Sequence, residues 1–561
     1  MDRRAFLAAL ASPLIGACDF IDGKPEPAGE LLGPDMALGH RLRDALLDRP
    51  TSSVRVPIAI IGGGIGGLSA AWQLTRQGVS DFRLFEMEAE PGGNARSGEN
   101  AVSPFPWGAH YLPLPTREGR SIRQLLADLG VLSGNIDAAQ PVYDERYLVH
   151  TPQDRLYLNG LWQDGVLPKI GVSQRDLDQY QRFEDMIQRF KDQRDRSGRK
   201  PFAVPIGYSG IDRNARALDA DNFRDWLIAQ GFDSPYLHWY ADYACRDDYG
   251  ARAADTSAWA GLHYYACRDG QAAHADSHNV LTWPEGNGWL VKRLAEWLHA
   301  HRSGPIQTRS LCTRLATGRS GAVLDVYLAE ERRSVRVHAE QVIWAAPAFV
   351  LARVWENPPP GLREAAAAVD YAPWLVANLT LDAPPADLGP ASLAWDNVLY
   401  DSGSVGYVVA THQAIRVKPG ATVITWYRPL FEGSPREARA RLANTGWKAW
   451  VDEIVAELAR PHPSLPGSLQ RIDVWRWAHA MPRPVPGFLG SSLTTLLARL
   501  NRPLSFAHSD LRGLSLFEEA HDAGVRAAMR AASGAARRIG DRKSTRLNSS
   551  HIQKSRMPSS A

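Results

Sequence analysis

Apolar positions along this chain fall into short dense runs punctuated by glycine and proline. The first such run sets the frame. Ile58-Ala59-Ile60-Ile61 is unbroken and mostly β-branched, which predicts a buried parallel strand. The spacing then changes to that of a helix, from Gly66 to about Gln77, with Gly78 as its stop. Phe82 to Phe85 predicts a second strand, ended by Glu86. Arg120 to Leu129 is amphipathic, and so is Gln174 to Phe190, where Tyr180, Phe183, Ile187 and Phe190 share one helical face. Residues 120 to 275 as a whole read as helices and loops. Trp289 to His299 predicts a helix. Strands are expected at Ile306 to Leu315, Val323 to Leu328, Val335 to Val337, Leu375 to Leu381 and Thr422 to Tyr427. Gly433 to Ala459 reads as a long amphipathic helix region.

The first unit also carries chemistry. Gly62, Gly64 and Gly67 have the spacing G-x-G-x-x-G directly after the strand. The first glycine permits a tight turn, the second lets backbone approach a pyrophosphate, and the third lets the helix pack on the strand. Ile65 and Gly66 open the helix, whose N–H groups favour an anion. Glu86, about 20 residues on, is placed to accept the hydroxyls of a ribose. Strand, helix, second strand and terminal acid together indicate a bound dinucleotide.

The dinucleotide is indicated by Glu88-x-x-Pro91-Gly92-Gly93-Asn94-Ala95-Arg96-Ser97. This stretch resembles the second glycine motif of the FAD-dependent amine oxidase and phytoene desaturase superfamily. Asn94 stands where that family usually has arginine, and Arg96 is the nearby charge. NAD(P) is the alternative cofactor. Further stretches follow the superfamily's order. Trp107-Gly108-Ala109-His110 resembles the segment beside the isoalloxazine ring, where small residues allow close approach. Pro284-Glu285-Gly286-Asn287-Gly288 resembles its P-x-G-G stretch. Cys312 holds the position whose backbone meets the adenine, and Ala346 lies in the strand-ending A-x-P segment. Trp477 lies in the W-x-x-A-x-P segment. Ser509 and Asp510 follow Phe506-Ala507-His508, with Asp510 as the displaced ribityl acid. Phe517 and Glu518 open the closing helix, expected at the flavin pyrimidine edge.

The resemblance implies an α/β protein: a Rossmann-like FAD-binding domain with a discontinuous α+β substrate domain. The FAD domain is assembled from 54–120, 276–347 and 466–540, and the substrate domain from 121–275 and 348–465. Non-covalent FAD is expected, since no cysteine follows Cys312. Candidates for catalysis are His110, His263, Tyr264 and Trp477. Residues 223 to 268 are rich in aromatics around Asp247 and Asp248. Such a segment suits either the wall of a cavity for a cationic amine or a well-packed helical core. The lysine that many amine oxidases place near the flavin has no counterpart in Tyr371 to Leu375.

The composition of the 561 residues is that of a globular protein, 44% apolar and 22% charged, and the formal charge of +3 gives no argument for nucleic acid. Residues 1–18 resemble a twin-arginine export signal with a lipobox. Arg3-Arg4-Ala5-Phe6-Leu7 is its core and Cys18 the lipidated residue; a cleaved signal with an incidental cysteine is the alternative. Export machinery, a lipid anchor and the periplasmic side of a bacterial inner membrane are then expected. Residues 19–53 read as a tether with one short helix, Leu38 to Leu47. Cys245, Cys267 and Cys312 show no metal-ligand spacing, and a Cys245–Cys267 bridge is left open. Residues 541–561 are Ser-rich and basic, read as disordered, and resemble vector-derived sequence.

Three functions are consistent with these features. One is amine oxidation by hydride transfer to flavin N5, on a small-molecule substrate. Another is FAD-dependent desaturation or isomerisation of an apolar, polyene-like substrate. A third is a membrane-anchored flavin-bound redox or scaffold partner.

Overall fold

The computed structural model describes residues 26–43, 49–276, 278–302, 304–386 and 391–533. The export signal, Cys18 and the 541–561 tail lie outside the described residues, as does part of the helix expected at Leu38 to Leu47. The described part of that segment is a short helix, Met36–His40, followed by a single tight turn, Arg41–Arg43.

Two sheets organise the chain. In the seven-stranded sheet, Ser52–Ile61 lies between Phe82–Phe85 and Arg333–Trp344, parallel to both. Its apolar run is buried on both faces, as a central parallel strand requires. The strand ends at Gly62, and Ile65–Arg76 follows as the helix. Gly78, at φ +73°, is the left-handed residue after its end. The strand expected at Ile306 to Leu315 is broken at Arg309, whose φ is +52°. Ile306–Gln307 extends the parallel edge, and Ser310–Gly318 pairs antiparallel with Gly321–Leu328.

The eight-stranded sheet runs in the order Leu31–Leu32, Leu469–Pro482, Tyr371–Leu381, Thr422–Pro429, Gly406–Val409, Asp396–Leu399, Asp154–Leu158, Leu161–Asp164. Three expectations are corrected here. The region 120–275 is not only helices and loops, because it supplies the last two strands. Their turn is Asn159-Gly160, both at positive φ, a two-residue hairpin turn that is visible in the sequence. Leu469–Pro482, grouped by sequence with the FAD domain, pairs instead with Tyr371–Leu381. Gly433 to Ala459 is two helices, Pro435–Asn444 and Trp447–Ala459, because Gly446 starts the second.

A helical layer, chiefly Gln174–Asp192, Phe223–Ala229, Pro235–Tyr249 and Ala258–Ala266, packs around its own core of Phe183, Phe223, Tyr249 and Trp259. This layer and the eight-stranded sheet flank the loop 106–111. The three cysteines are buried and free, so no Cys245–Cys267 bridge forms.

Candidate active site

The glycines of the first unit divide by what a side chain would meet. A Cβ on Gly66 would lie 1.9 Å from the Ala507 carbonyl oxygen, and one on Gly67 1.9 Å from that of Gly62. Both positions are closed by backbone. Gly62 has φ +105°, and a Cβ there would lie 2.8 Å from Ala345 and 3.0 Å from the nitrogen of half-buried Ala346. Gly64 is different. Its Cβ would meet nothing nearer than Gly93 Cα at 4.0 Å. The two glycine motifs face each other across this open cradle: Gly64 bridges Gly92, and the Gly92 N–H donates to the Gly63 carbonyl. The helix after it starts at Ile65 with no side-chain cap, which leaves its first N–H groups for an anion.

Glu86 stands at the rim, accepting from the N–H groups of Gly63 and Glu88, and burial raises its pKa. Arg96 does not stand free as a replacement charge, because it pairs with Glu88 at 3.3 Å and bonds the Glu90 carbonyl. Cys312 is buried in its strand, the thiol pushed up to about 12 by burial. Asp510 is not available as an open ribityl acid. Its Oδ2 accepts from the Ala348 N–H at 2.8 Å and the Tyr371 hydroxyl at 2.6 Å, while His508 faces the other oxygen. Ser509 is buried in the same turn.

Beyond the cradle lies a cavity of about 1120 Å³, counting its open mouth. Asn94, Gly108, Ala109, His110, Trp477, Phe517 and Glu518 all line it, so it gathers residues from four separate stretches of sequence. The loop 106–111 is pinned at six consecutive carbonyls. Pro106 accepts from Asn378, Trp107 from the Trp477 indole, Gly108 from the Tyr427 hydroxyl, Ala109 from the Asn287 N–H, His110 from Thr282 and Tyr111 from the Asn287 side chain. A loop held at every one of these carbonyls keeps its side chains in fixed places. Gly108 is required for a reason other than ring approach: its Cβ would lie 2.2 Å from the Asn94 carbonyl oxygen. Trp107 turns away from the cavity and packs on Phe105 and Trp475.

His110 lies against Tyr427, with ring centroids 4.6 Å apart, and burial lowers its pKa to about 3, so it is neutral. His263 is outside the cavity lining. One ring nitrogen bonds the Ala203 carbonyl at 3.0 Å and the ring stacks on Trp259, which is a core role. Tyr264 is also outside the lining, beneath the Arg268 guanidinium at 3.9 Å.

The aromatic segment 223–268 divides in an unexpected way. Most of its rings form the helical core, Trp239 and Tyr243 pack with residues of the eight-stranded sheet, and the cavity receives instead Asp247, Asp248, Cys267 and Arg268. The aromatic walls come from elsewhere, from Tyr111, Trp374, Tyr427 and Trp477. No lysine lines the cavity among the described residues, and Trp374 occupies the stretch where one was sought. Arg268 pairs with Asp248 at 2.6 Å and reaches the Tyr111 hydroxyl at 3.3 Å. Asp247 has no ion pair among the described residues, only the Tyr111 hydroxyl at a long 3.4 Å. Burial, and then the charge of Asp248, push Asp247 up to about 7; Arg268 acts the other way. Burial likewise pushes Glu518 up to about 7. Asn287, 2% exposed, also lines the cavity, and its Oδ1 has no partner. Its amide orientation is set by the Tyr111 carbonyl, which can only accept. An acceptor left open on the cavity wall fits an N–H donor, such as that of a flavin ring or an amine.

The family model for flavin containing amine oxidoreductase matches residues 65–440. The acrylate reductase flavoprotein subunit of Shewanella woodyi is 29% identical over 143 residues, 25% of each chain. Oxidoreductase PigB of a Serratia species is 24% identical over 285 residues, 49% of this chain and 40% of that protein. The chain therefore spans less than half the length of either curated relative. Among solved structures, putrescine oxidase with putrescine bound superposes with a TM-score of 0.61 at 16% identity, covering 85% of this chain and 99% of that one.

Proposed function

This chain belongs to the flavin containing amine oxidoreductase family, and from that premise we propose that it oxidises the C–N bond of a small amine. It is an FAD-dependent oxidoreductase of α/β fold. The glycine cradle, Glu86 and the helix start at Ile65 would hold the dinucleotide, and FAD supplies the hydride acceptor.

One observation carries the amine reading: a half-buried carboxyl with no ion pair among the described residues, Asp247, in a cavity walled by Tyr111, Trp374, Tyr427 and Trp477. A substrate ammonium there gains a counter-charge and aromatic faces together. Burial raises Asp248 as well, but its ion pair with Arg268 opposes that rise, so of the adjacent pair it is Asp247 that takes up a proton more readily. An acid poised near neutrality can attract the ammonium and accept its proton, leaving the neutral amine from which a hydride can depart. Neutral His110 adds no opposing charge, and the aromatic walls exclude water. Tyr111 positions Asp247 and Arg268 through its hydroxyl.

Anaerobic addition of a panel of primary and secondary amines to the purified protein is expected to bleach the flavin bands with at least one of them. Air should restore the bands and release hydrogen peroxide. Bands that never bleach with any amine would discard this substrate class. The absence of a lysine from the described lining favours a second reading, desaturation or isomerisation of an apolar substrate. Reduction by lipid extracts but not by amines would select it.

The N-terminal motif supports export in the folded, FAD-loaded state, with Cys18 as a lipid anchor at the periplasmic side of the inner membrane. Among the described residues no helix is long and apolar enough to cross a membrane. Replacing Arg3 and Arg4 by lysine is expected to leave the protein in the cytoplasmic fraction. An unchanged distribution on cell fractionation would end the export proposal.

A further inference from the structure

The connection between Gly406–Val409 and Thr422–Pro429 ends in a tip unlike the rest of the described surface. Ile415 is 96% exposed and Val417 101% exposed, whereas the next large apolar side chain, Ile211, is 65% exposed. The tip reads Ile415-Arg416-Val417-Lys418-Pro419-Gly420, so the two aliphatic side chains are each followed by a cation. Neither Arg416 nor Lys418 makes an ion pair among the described residues; Arg416 bonds only the Ala421 carbonyl, at 2.7 Å.

The base of the loop is fixed while the tip is bare. The hydroxyls of Thr411 and Thr422 bond each other across it. His412 bonds the His150 carbonyl at 2.8 Å. The Gln413 side chain donates to the Leu148 carbonyl at 2.8 Å and accepts from the His150 N–H at 3.0 Å. A rigid stalk thus presents two fully solvated aliphatic groups to the outside, an arrangement unfavourable in water.

We propose that this tip is a membrane-docking element: Ile415 and Val417 enter the interface of an anionic bilayer, and Arg416 and Lys418 meet the headgroup phosphates. Two arguments favour lipid over a protein partner. Two aliphatic side chains on one loop tip fall far short of the roughly 800 Å² per partner that a stable protein interface buries, whereas a few apolar groups with adjacent cations suffice at a lipid interface. The alternation of aliphatic and basic residues also matches the layering of acyl chain and phosphate. The inference does not depend on the amine reading or on the N-terminal anchor.

The test uses the full chain as FAD holoprotein with Cys18→Ser, so that no acyl chain contributes. Partition onto phosphatidylglycerol–phosphatidylcholine vesicles is compared with phosphatidylcholine alone by co-sedimentation. Anionic vesicles should bind the loop-intact protein. I415S/V417S should weaken that binding by about tenfold or more, and R416Q/K418Q should remove most of the preference for anionic lipid and its salt sensitivity. All four positions are exposed, and the flavin spectrum confirms that each variant is folded. No binding to anionic vesicles, or binding indifferent to I415S/V417S, overturns the proposal. So does a concentration-dependent dimer in sedimentation velocity that I415S/V417S abolishes, since the tip would then meet a second copy.

Discussion

Gly66→Ala is expected to lose ~3 kcal/mol or more of folding stability and to yield protein that carries no flavin. The added Cβ would lie 1.9 Å from the Ala507 carbonyl oxygen and 3.4 Å from that of Ala520, and neither is the movable end of a side chain. The helix Ile65–Arg76 would have to leave its seat between the central strand and the closing helix over 517–533. The Gly524 site tightens the same joint, since a Cβ there would lie 2.2 Å from the Gly66 carbonyl oxygen. Gly64→Ala is the contrast. Gly64 has φ −71° and ψ −176°, open to any residue, and its Cβ has no close neighbour. That variant is expected to denature with the wild-type midpoint while its flavin content falls, because the methyl group occupies the cradle itself. Chemical denaturation read by circular dichroism, with flavin counted per chain, separates the two. Full FAD in Gly64→Ala would move the phosphate site elsewhere; wild-type stability in Gly66→Ala would mean that the helix does not sit against Ala507.

Asp247→Asn is expected to lower kcat/KM for the amine by about 10²–10³-fold, ~3–4 kcal/mol at 1.36 kcal/mol per decade, while flavin content stays unchanged. The amide keeps the shape and loses the charge and the proton-accepting capacity. The pH profile gives the sharper readout. Asp247 in the wild type is pushed up to about 7, first by burial and then by Asp248. Below that pH it is neutral and offers an ammonium no counter-charge; above it, it is ionised. The kcat/KM of the wild type should therefore rise through about pH 7. That ascending limb should be missing in Asp247→Asn. A limb retained in the variant would assign it to another group, with Glu518 the first candidate, since it too is pushed up to about 7 in the same cavity.

The asymmetry within the acid pair explains why one carboxylate can serve while its neighbour does not. Asp247 and Asp248 are adjacent in sequence and both sit at the end of Pro235–Tyr249, yet only Asp248 reaches Arg268. A guanidinium beside one of two close acids leaves the other to carry most of the shared proton. The cavity then holds one fixed ion pair and one adjustable acid.

The amino-acid sequence by itself determined the cofactor-binding unit, because that unit is encoded by contiguous backbone requirements. A buried strand, glycines where backbone or a phosphate comes close, an uncapped helix start and a terminal acid all fall between Ile58 and Glu86. The second glycine pair at Gly92-Gly93 lies only a few residues on. The Asn159-Gly160 hairpin has a signal of the same local kind, which the reading of 120–275 as helices and loops passed over. Only the tertiary structure decided the chemistry of the cavity. Asp247 ends one helix, Arg268 follows another, Tyr111 opens a short strand, and Trp374, Tyr427 and Trp477 come from three neighbouring strands of the eight-stranded sheet. No periodicity links these positions. The aromatic richness of 223–268 suited a wall or a core alike, and the fold decided for core at most of its rings, because the face a ring presents depends on what packs against it. The same holds for Asp247, Asp248, His110 and His263. A residue's type sets what it can do, but burial and the charges brought beside it from distant segments decide its proton, and those neighbours exist only in the folded chain.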